Sequence, residues 1–355
     1  MADKPVVFVS TDWISDVLAN AIEDNFDCEI IRGPAAQPPQ AKVYDPADYQ
    51  ELFGRTDYIV ASPMSVISRE IMESAPRLKG ILSPVIGVES IDVDAATELG
   101  IAVGHGATPE NFIGMAEATV LFMVALSLDM HAKEQNLRDN APRPRQLRAR
   151  LMRGKTIGLV GIGRIGRAVV ERLQGWEVNI QAYDPYINQD QAPPGVKMVD
   201  LDTVMRTSDI VSVHVTVTEE TTHLLNEEQL RKMKPSAFLV NTARGAAIDE
   251  AALERVLRDK AIAGAGLDTF EAEPLPAESG LRELDDVILT PHMIGHTRDV
   301  MDSLPVAAVA NLKELMAGNL PKYPKNPQVE SAWRCLLYTS PSPRDRTRSR
   351  MPSSA

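Results

Sequence analysis

Six residues near the middle of the chain, Gly161-Ile162-Gly163-Arg164-Ile165-Gly166, constrain the fold more than any other feature. They follow an apolar, strand-like stretch, Thr156–Val160, and lead into a helical pattern over Arg167–Leu173. Spaced glycines alone say little, but between a strand and a helix they acquire a mechanism. Gly161 permits the tight turn, Gly163 lets backbone approach a pyrophosphate, and Gly166 lets helix and strand pack closely. Amides freed at the helix start, at Arg164 and Ile165, then offer an anion site. The next strand candidate, Asn179–Tyr183, ends at Asp184, about 20 residues beyond the first glycine. An acid there accepts from the adenosine ribose hydroxyls and repels a 2′-phosphate, which points to NAD rather than NADP. A glycine turn with a capping Asp would need no ligand, but it would not require strand, glycines, helix and acid in this order.

Strands and helices alternate on both sides of this motif. Before it, strand candidates at Val6–Ser10, Cys28–Arg32, Tyr58–Ala61, Leu78–Ser83 and Ile101–Gly104 are separated by helical patterns at Trp13–Asn25, Pro46–Phe53, Glu70–Ser74 and Val93–Leu99. Such alternation implies parallel sheets covered on both faces. Thr108-Pro109-Glu110-Asn111 reads as a helix start. The run from Phe112 to about Lys133 is apolar almost all round, which predicts burial on several sides or a partner subunit. Asn140–Arg150 reads as an exposed connector, and a last helix, Asp299–Ala317, stops at Gly318-Asn319. At 355 residues the chain is too long for one small core, so two domains are expected.

Composition excludes several classes of partner. A formal net charge of −12 argues against nucleic acid and anionic lipid surfaces. No apolar run is expected to reach the ~20 residues of a membrane span, and the start lacks the apolar core of a signal peptide. Cys28 and Cys335 form neither a disulfide framework nor a zinc spacing, so a reducing cytoplasm is expected.

Three later segments each carry polar residues at the end of an apolar strand. Ala237–Val240 leads into Asn241-Thr242-Ala243-Arg244-Gly245, Ile262–Leu267 into Asp268-Thr269-Phe270-Glu271-Ala272-Glu273-Pro274, and Val287–Thr290 into Pro291-His292. Ligands of open parallel sheets bind beyond the carboxyl ends of strands, so a cation, an acid and an imidazole are predicted to converge beside the dinucleotide. Hydride transfer from a dinucleotide to a carbonyl needs a proton for the carbonyl oxygen, and an anionic substrate needs a cation to hold it. Arg244 offers a planar fork of donors whose charge is permanent. An imidazole such as His292 exchanges protons near neutrality. A carboxylate, Glu273 or its competitor Glu271, can hold the other ring nitrogen and favour the charged form. Taken singly, each has a blander reading: a surface Arg, a solvated Glu, a structural His.

The strings GLVGIGRIGR, VHVTVTEETTHLLN, KPSAFLVNTARG, GAGLDTFEAEP and LTPHMIGHT resemble the D-isomer specific 2-hydroxyacid dehydrogenase family, over about residues 4–334. The resemblance implies an α/β chain of two doubly wound parallel-sheet domains. A Rossmann NAD-binding domain, 107–296, is inserted into a flavodoxin-like substrate domain, 1–106 plus 297–334. It places the catalytic roles on Arg244, Glu273 and His292, preferring Glu273 to Glu271. It also implies that Asp268 accepts from the nicotinamide carboxamide, with Thr242 among the cofactor contacts, and that Val85-Ile86-Gly87 presents amides to the substrate carboxylate. His214 and His296 are read as secondary. The family is typically a homodimer, which suits the apolar helix.

Some features depart from the family. Phosphoglycerate dehydrogenases carry arginines after the third strand, whereas Ala61-Ser62-Pro63-Met64-Ser65 has none, so a smaller or more apolar acid is expected. Thr216 stands where many relatives have Pro, and the connector lacks a common Trp. From Cys335 the composition turns to Ser, Pro and alternating Arg; residues 335–355 are expected to be disordered and resemble translated sequencing-adapter read-through. A rival function on the same fold is an NAD(H)-sensing binding protein of the corepressor type. The cofactor expectation is tested by Asp184→Ser, which should narrow or reverse the preference for NADH in kcat/KM. Equal wild-type values with NADH and NADPH would remove Asp184 from that role.

Overall fold

Parallel strands cannot be joined by hairpins, so each must return through a crossover, and this rule shapes both halves of the chain. The computed structural model describes residues 4–11, 15–35, 41–143 and 148–339. The chain divides into two units, Met1–Thr108 with Arg298–Ala355, and Pro109–Thr297.

The first unit holds β1 (Val6–Thr11), β2 (Glu29–Ala35), β3 (Tyr58–Val60), β4 (Gly80–Ser83) and β5 (Ala102–His105), in the order β2-β1-β3-β4-β5. This is the flavodoxin-like order, with its reversal between β1 and β3. Successive residues of a strand face opposite sides, and both sides are buried. Phe8, Ile59, Ile81 and Val103 join one layer with Phe53 and Ile67. Val7, Val9, Val60 and Leu82 join the other with Leu18, Ile22, Leu304, Leu312 and Trp333. Strands covered on both faces therefore read as unbroken apolar runs rather than alternating ones.

That second layer is completed from the far end of the sequence. Helices Arg298–Met316 and Glu330–Thr339 lie in the same unit as β1–β5. The buried Asn326 accepts from the Val103 amide at 2.8 Å and donates to the Ile101 carbonyl at 2.9 Å and to Thr97 Oγ1 at 3.0 Å. Trp333, fully buried, donates its indole N–H to the Lys79 carbonyl at 2.7 Å.

The second unit holds β6 (Thr156–Val160), β7 (Asn179–Tyr183), β8 (Val196–Met198), β9 (Ile210–Val213), β10 (Phe238–Asn241), β11 (Gly264–Leu267) and β12 (Val287–Leu289). Their order is β12-β11-β10-β9-β6-β7-β8, all parallel. The direction of winding reverses between β6 and β9. Beyond their carboxyl ends lies the crevice where doubly wound sheets take ligands.

Several expectations need correction. The helix expected from Phe112 to Lys133 is two helices, Pro109–Ser127 and Met130–Arg138. Asp129 between them takes a left-handed φ of 54°, which Asp tolerates better than most residues. Pro109–Ser127 is long and apolar enough to span a membrane, against the expectation that no run approaches that length. Its Thr119, Phe122, Met123 and Leu126 are nevertheless buried within the unit, Phe122 and Met123 in one cluster with Leu159 and Val240. The tail is not coil from Cys335: the last helix continues to Thr339, and Leu337 packs against the Trp333 cluster. Cys-Leu-Leu-Tyr is apolar enough to extend that helix; residues 340–355 lie outside the described residues. Of the connector Asn140–Arg150, residues 144–147 also lie outside them.

If the C-terminal return seals the first sheet, Trp333→Ala should cost about 3–5 kcal/mol and lower the urea midpoint accordingly. An unchanged midpoint would show that the sheet does not depend on it.

Candidate active site

The glycine turn after β6 is shaped by close backbone approach. Gly161 has φ +93°, and a Cβ there would sit 2.8 Å from the His214 carbonyl oxygen. A Cβ on Gly166 would lie 2.8 Å from the Gly161 carbonyl oxygen. A Cβ on Gly163 would meet nothing within 4 Å, so this side of the turn is open. The following helix starts earlier than expected, at Arg164 rather than Arg167, with Gly163 as its cap. Arg164 is exposed and Ile165 half-buried. Asp184 reaches back to the turn: one carboxylate oxygen accepts from the Ile162 amide and the other from the Tyr186 amide, each at 3.0 Å. Its charge is thereby anchored at the mouth of the glycine turn.

Asp268, at the end of β11, is almost completely buried. Its Oδ1 accepts from Thr290 Oγ1 at 2.6 Å, the Met293 amide at 3.0 Å and the Ile294 amide at 3.2 Å. Its Oδ2 is buried and has no partner among the described residues. An unsatisfied buried acceptor costs about 1–3 kcal/mol, so this oxygen is suited to an incoming N–H such as that of a carboxamide. Together with the open turn at Gly163, it fits a nicotinamide dinucleotide. The Thr242 hydroxyl is buried and lies 2.7 Å from Thr119 Oγ1, which itself donates to the Met115 carbonyl at 2.8 Å, so Thr242 is the donor of the pair.

Glu273 and His292 form a pair. Glu273 Oε2 is 2.8 Å from His292 Nδ1, and Oε1 accepts from the Phe270 amide at 3.0 Å. Burial alone would push the Glu273 carboxyl up. The His292 hydrogen bond and charge, the Phe270 amide and the charge of Arg244 outweigh it and hold the group below its ordinary range. It is therefore a carboxylate at neutral pH. With Nδ1 directed at Glu273, the Nε2 atom is left to exchange a proton. His292 itself takes a left-handed φ of 54°, which is uncommon outside glycine and persists only where its surroundings enforce it. The short return after β12 and the Glu273 contact do so here.

Arg244 is set by residues that the sequence reasoning did not single out. The buried Asn241 donates to the Arg244 carbonyl at 2.9 Å and accepts from the Ala243 amide at 3.0 Å. Nη1 of Arg244 donates to the Ala243 carbonyl at 2.7 Å. At Gly245 a Cβ would overlap the Phe270 carbonyl carbon, so only glycine lets the Arg244 turn rest on the 268–273 loop. A glycine directly after the cation was the available signal.

The competing acid points elsewhere: Glu271 is 2.8 Å from His223 Nε2. His214 Nε2 meets Ser212 Oγ at 2.9 Å, and burial pushes its pKa down to about 4, so it stays neutral. His296 is also lowered, first by burial and then by the charge of His292, with Asp268 opposing. In the first unit, the turn after β4 is closed by Ser83, whose hydroxyl donates to the Gly87 carbonyl at 2.7 Å. The Val85 amide is directed at that same hydroxyl at 3.4 Å, so it is not free as expected. The amides of Ile86 and Gly87 have no acceptor among the described residues.

A doubly wound unit with an open glycine turn, an acid anchored beside that turn and an unpartnered buried carboxylate oxygen has the features of a nicotinamide-dinucleotide-binding domain. Residues 120–294 match the family described as D-isomer specific 2-hydroxyacid dehydrogenase, NAD binding domain. A glyoxylate reductase of Thermofilum pendens is 41% identical over 270 residues, covering 74% of this chain and 79% of that protein. One from Korarchaeum cryptofilum is 34% identical over 331 residues, covering 92% and 97%. The structure of a D-lactate dehydrogenase from Aquifex aeolicus complexed with NAD and lactic acid superposes with a TM-score of 0.76 at 27% identity, covering 88% and 96%. The chain belongs to the D-isomer specific 2-hydroxyacid dehydrogenase family and is an NAD-dependent enzyme of that class.

Proposed function

We propose that the protein interconverts a small 2-oxo acid, of about the size of glyoxylate, with its 2-hydroxy acid, using Arg244, Glu273 and His292. The observation that carries this reading is the 2.8 Å contact between His292 Nδ1 and Glu273 Oε2, beside a loop that packs against the Arg244 turn. When bound, the cofactor supplies or accepts the hydride at the substrate's second carbon. In the reducing direction, His292 Nε2 gives its proton to the carbonyl oxygen, and the Glu273 carboxylate favours the imidazolium that must be present beforehand. Arg244 holds the substrate carboxylate with its fork of donors and polarises the carbonyl. In oxidation the same nitrogen takes the hydroxyl proton.

A small substrate is supported by the stretch Ala61–Ser65, which has no cation for a phosphate. Its serines are buried, with Ser10 Oγ accepting from the Ser62 amide at 2.9 Å and Tyr44 donating to Ser65 at 3.0 Å. The names of the two archaeal relatives point the same way.

A homodimer is part of the proposal. Leu121, Met130 and Leu137 on the helices Pro109–Ser127 and Met130–Arg138, and Leu128 between them, are exposed, apolar surface of the kind that subunits cover. Light scattering after gel filtration should report a dimer, and Leu121→Glu with Leu137→Glu should shift it towards monomer. A monomeric wild type would end this part of the reading.

The catalytic assignment predicts three distinct failures when NADH oxidation is measured with glyoxylate, hydroxypyruvate and pyruvate. Arg244→Lys should raise substrate KM and lower kcat, because the charge remains but the fork is lost. His292→Gln should lower kcat roughly 10²–10⁴-fold with NADH binding retained. Glu273→Gln should move the basic limb of kcat/KM to lower pH. The sign follows because reduction needs the imidazolium, and a histidine that loses a facing anion gives up its proton at lower pH. An active Glu273→Gln enzyme with an unmoved limb would remove Glu273 from the mechanism. NADH binding without turnover on any 2-oxo acid would instead favour a sensor.

A further inference from the structure

Two glutamates beside the catalytic loop hold each other by their backbones. Glu271 Oε1 accepts from the Glu250 amide, and Glu250 Oε2 accepts from the Glu271 amide, each at 3.1 Å. His223 Nε2 lies 2.8 Å from that same Glu271 oxygen. The His223 segment is itself fastened, its amide donating to the Ala246 carbonyl at 2.8 Å and the Leu225 amide to the Ala247 carbonyl at 3.1 Å. Three stretches of chain, 223–225, 244–250 and 268–273, are thus bound into one piece. Arg244 lies in the second of them and Glu273 in the third.

We propose that Glu271, gripped by His223 and Glu250, is a positioning residue that fixes the Glu273–His292 pair relative to Arg244. The inference rests on the catalytic reading above. A His–Glu contact at the surface is worth only about 0–1 kcal/mol by itself and would not single out Glu271. The reciprocal arrangement does. Two neighbouring carboxylates repel, and burial together with the charges of Glu271, Glu254 and Glu273 pushes the Glu250 carboxyl up, opposed by the Glu271 amide. The pair is retained because each carboxylate meets the other's amide. Glu271 also sits at the N-terminus of helix Glu250–Arg258, where the helix dipole favours an anion. A side chain bonded to a helix start and a backbone bonded in return leave the 268–273 loop little freedom to slide. Glu273 Oε1 then takes the Phe270 amide within that same loop. The titratable groups facing the clasp are His223, Glu250, Glu254 and Glu273. Glu273 faces His292; Arg244 also acts on Glu273, and His292 and Asp268 act on His296.

The test compares full-length wild type with Glu271→Ala, Glu271→Gln, His223→Ala and Glu273→Gln. It reads kcat, KM, NADH Kd by fluorescence, Tm and the pH profile of kcat/KM. Glu271→Ala should lower kcat roughly tenfold to a hundredfold, the scale of a misplaced catalytic group. It should also move the basic limb to lower pH, as Glu273→Gln does, with NADH Kd within about twofold of wild type. Glu271→Gln keeps an acceptor oxygen for the Glu250 amide and should recover most of kcat and the wild-type limb. A wild-type kcat and limb in Glu271→Ala, with the limb displaced in Glu273→Gln, would overturn this inference alone. No displacement in Glu273→Gln would instead sink the catalytic reading beneath it. Should Glu271→Ala not fold, His223→Ala carries the test: a smaller displacement in the same direction is expected, and an unmoved limb overturns the proposal.

Discussion

The site depends first on strand direction. Because every ladder in the second unit is parallel, β6, β10, β11 and β12 all end at the same edge of the sheet. Gly161, Arg244, Asp268 and His292 follow those ends within a few residues. Residues far apart in sequence become neighbours without any dedicated long loop. Had one of these strands run antiparallel, its polar residue would emerge at the opposite edge.

What the edge collects is then sorted by how each carboxylate is satisfied. Asp268 places three donors on one oxygen and none on the other, which leaves a directed acceptor in a buried setting. Glu273 uses both oxygens, one on backbone and one on an imidazole, which fixes it against the His292 ring. Asp184 accepts a backbone amide on each oxygen, which fixes its charge at the sheet edge. Three acids on one edge thus offer different atoms to their surroundings because their donors differ.

Much of this was legible in sequence where the signal is local. A strand, three glycines, a helix and an acid lie within a short span, so the dinucleotide site can be read directly. The choice between Glu271 and Glu273 cannot, since both occur in Phe-Glu-Ala-Glu-Pro and only the resemblance favoured one. In the structure their side chains part, one towards His223 and the other towards His292. The contact between the Thr242 and Thr119 hydroxyls could not be read in the sequence either, since the two residues are 123 positions apart. Asn326 and Trp333 carried no local sign of their roles, since their partners lie more than two hundred residues away. The helix across Cys335 was hidden by the polar composition that follows it.

The discontinuity of the first unit also governs when it can be finished during synthesis. β5 leaves the ribosome long before Asn326, its partner 223 residues later at the Val103 amide. At ~5–20 residues per second the interval is on the order of ten to forty-five seconds. By the end of that time the second unit, whose last strand finishes at Leu289, has all its strands and can close, while the apolar side formed by Val7, Val9, Val60 and Leu82 still has no C-terminal cover. The nascent chain therefore passes through a stage with a complete nucleotide-binding half and an uncovered apolar sheet face, whose duration is set by the distance between the two pieces of one domain.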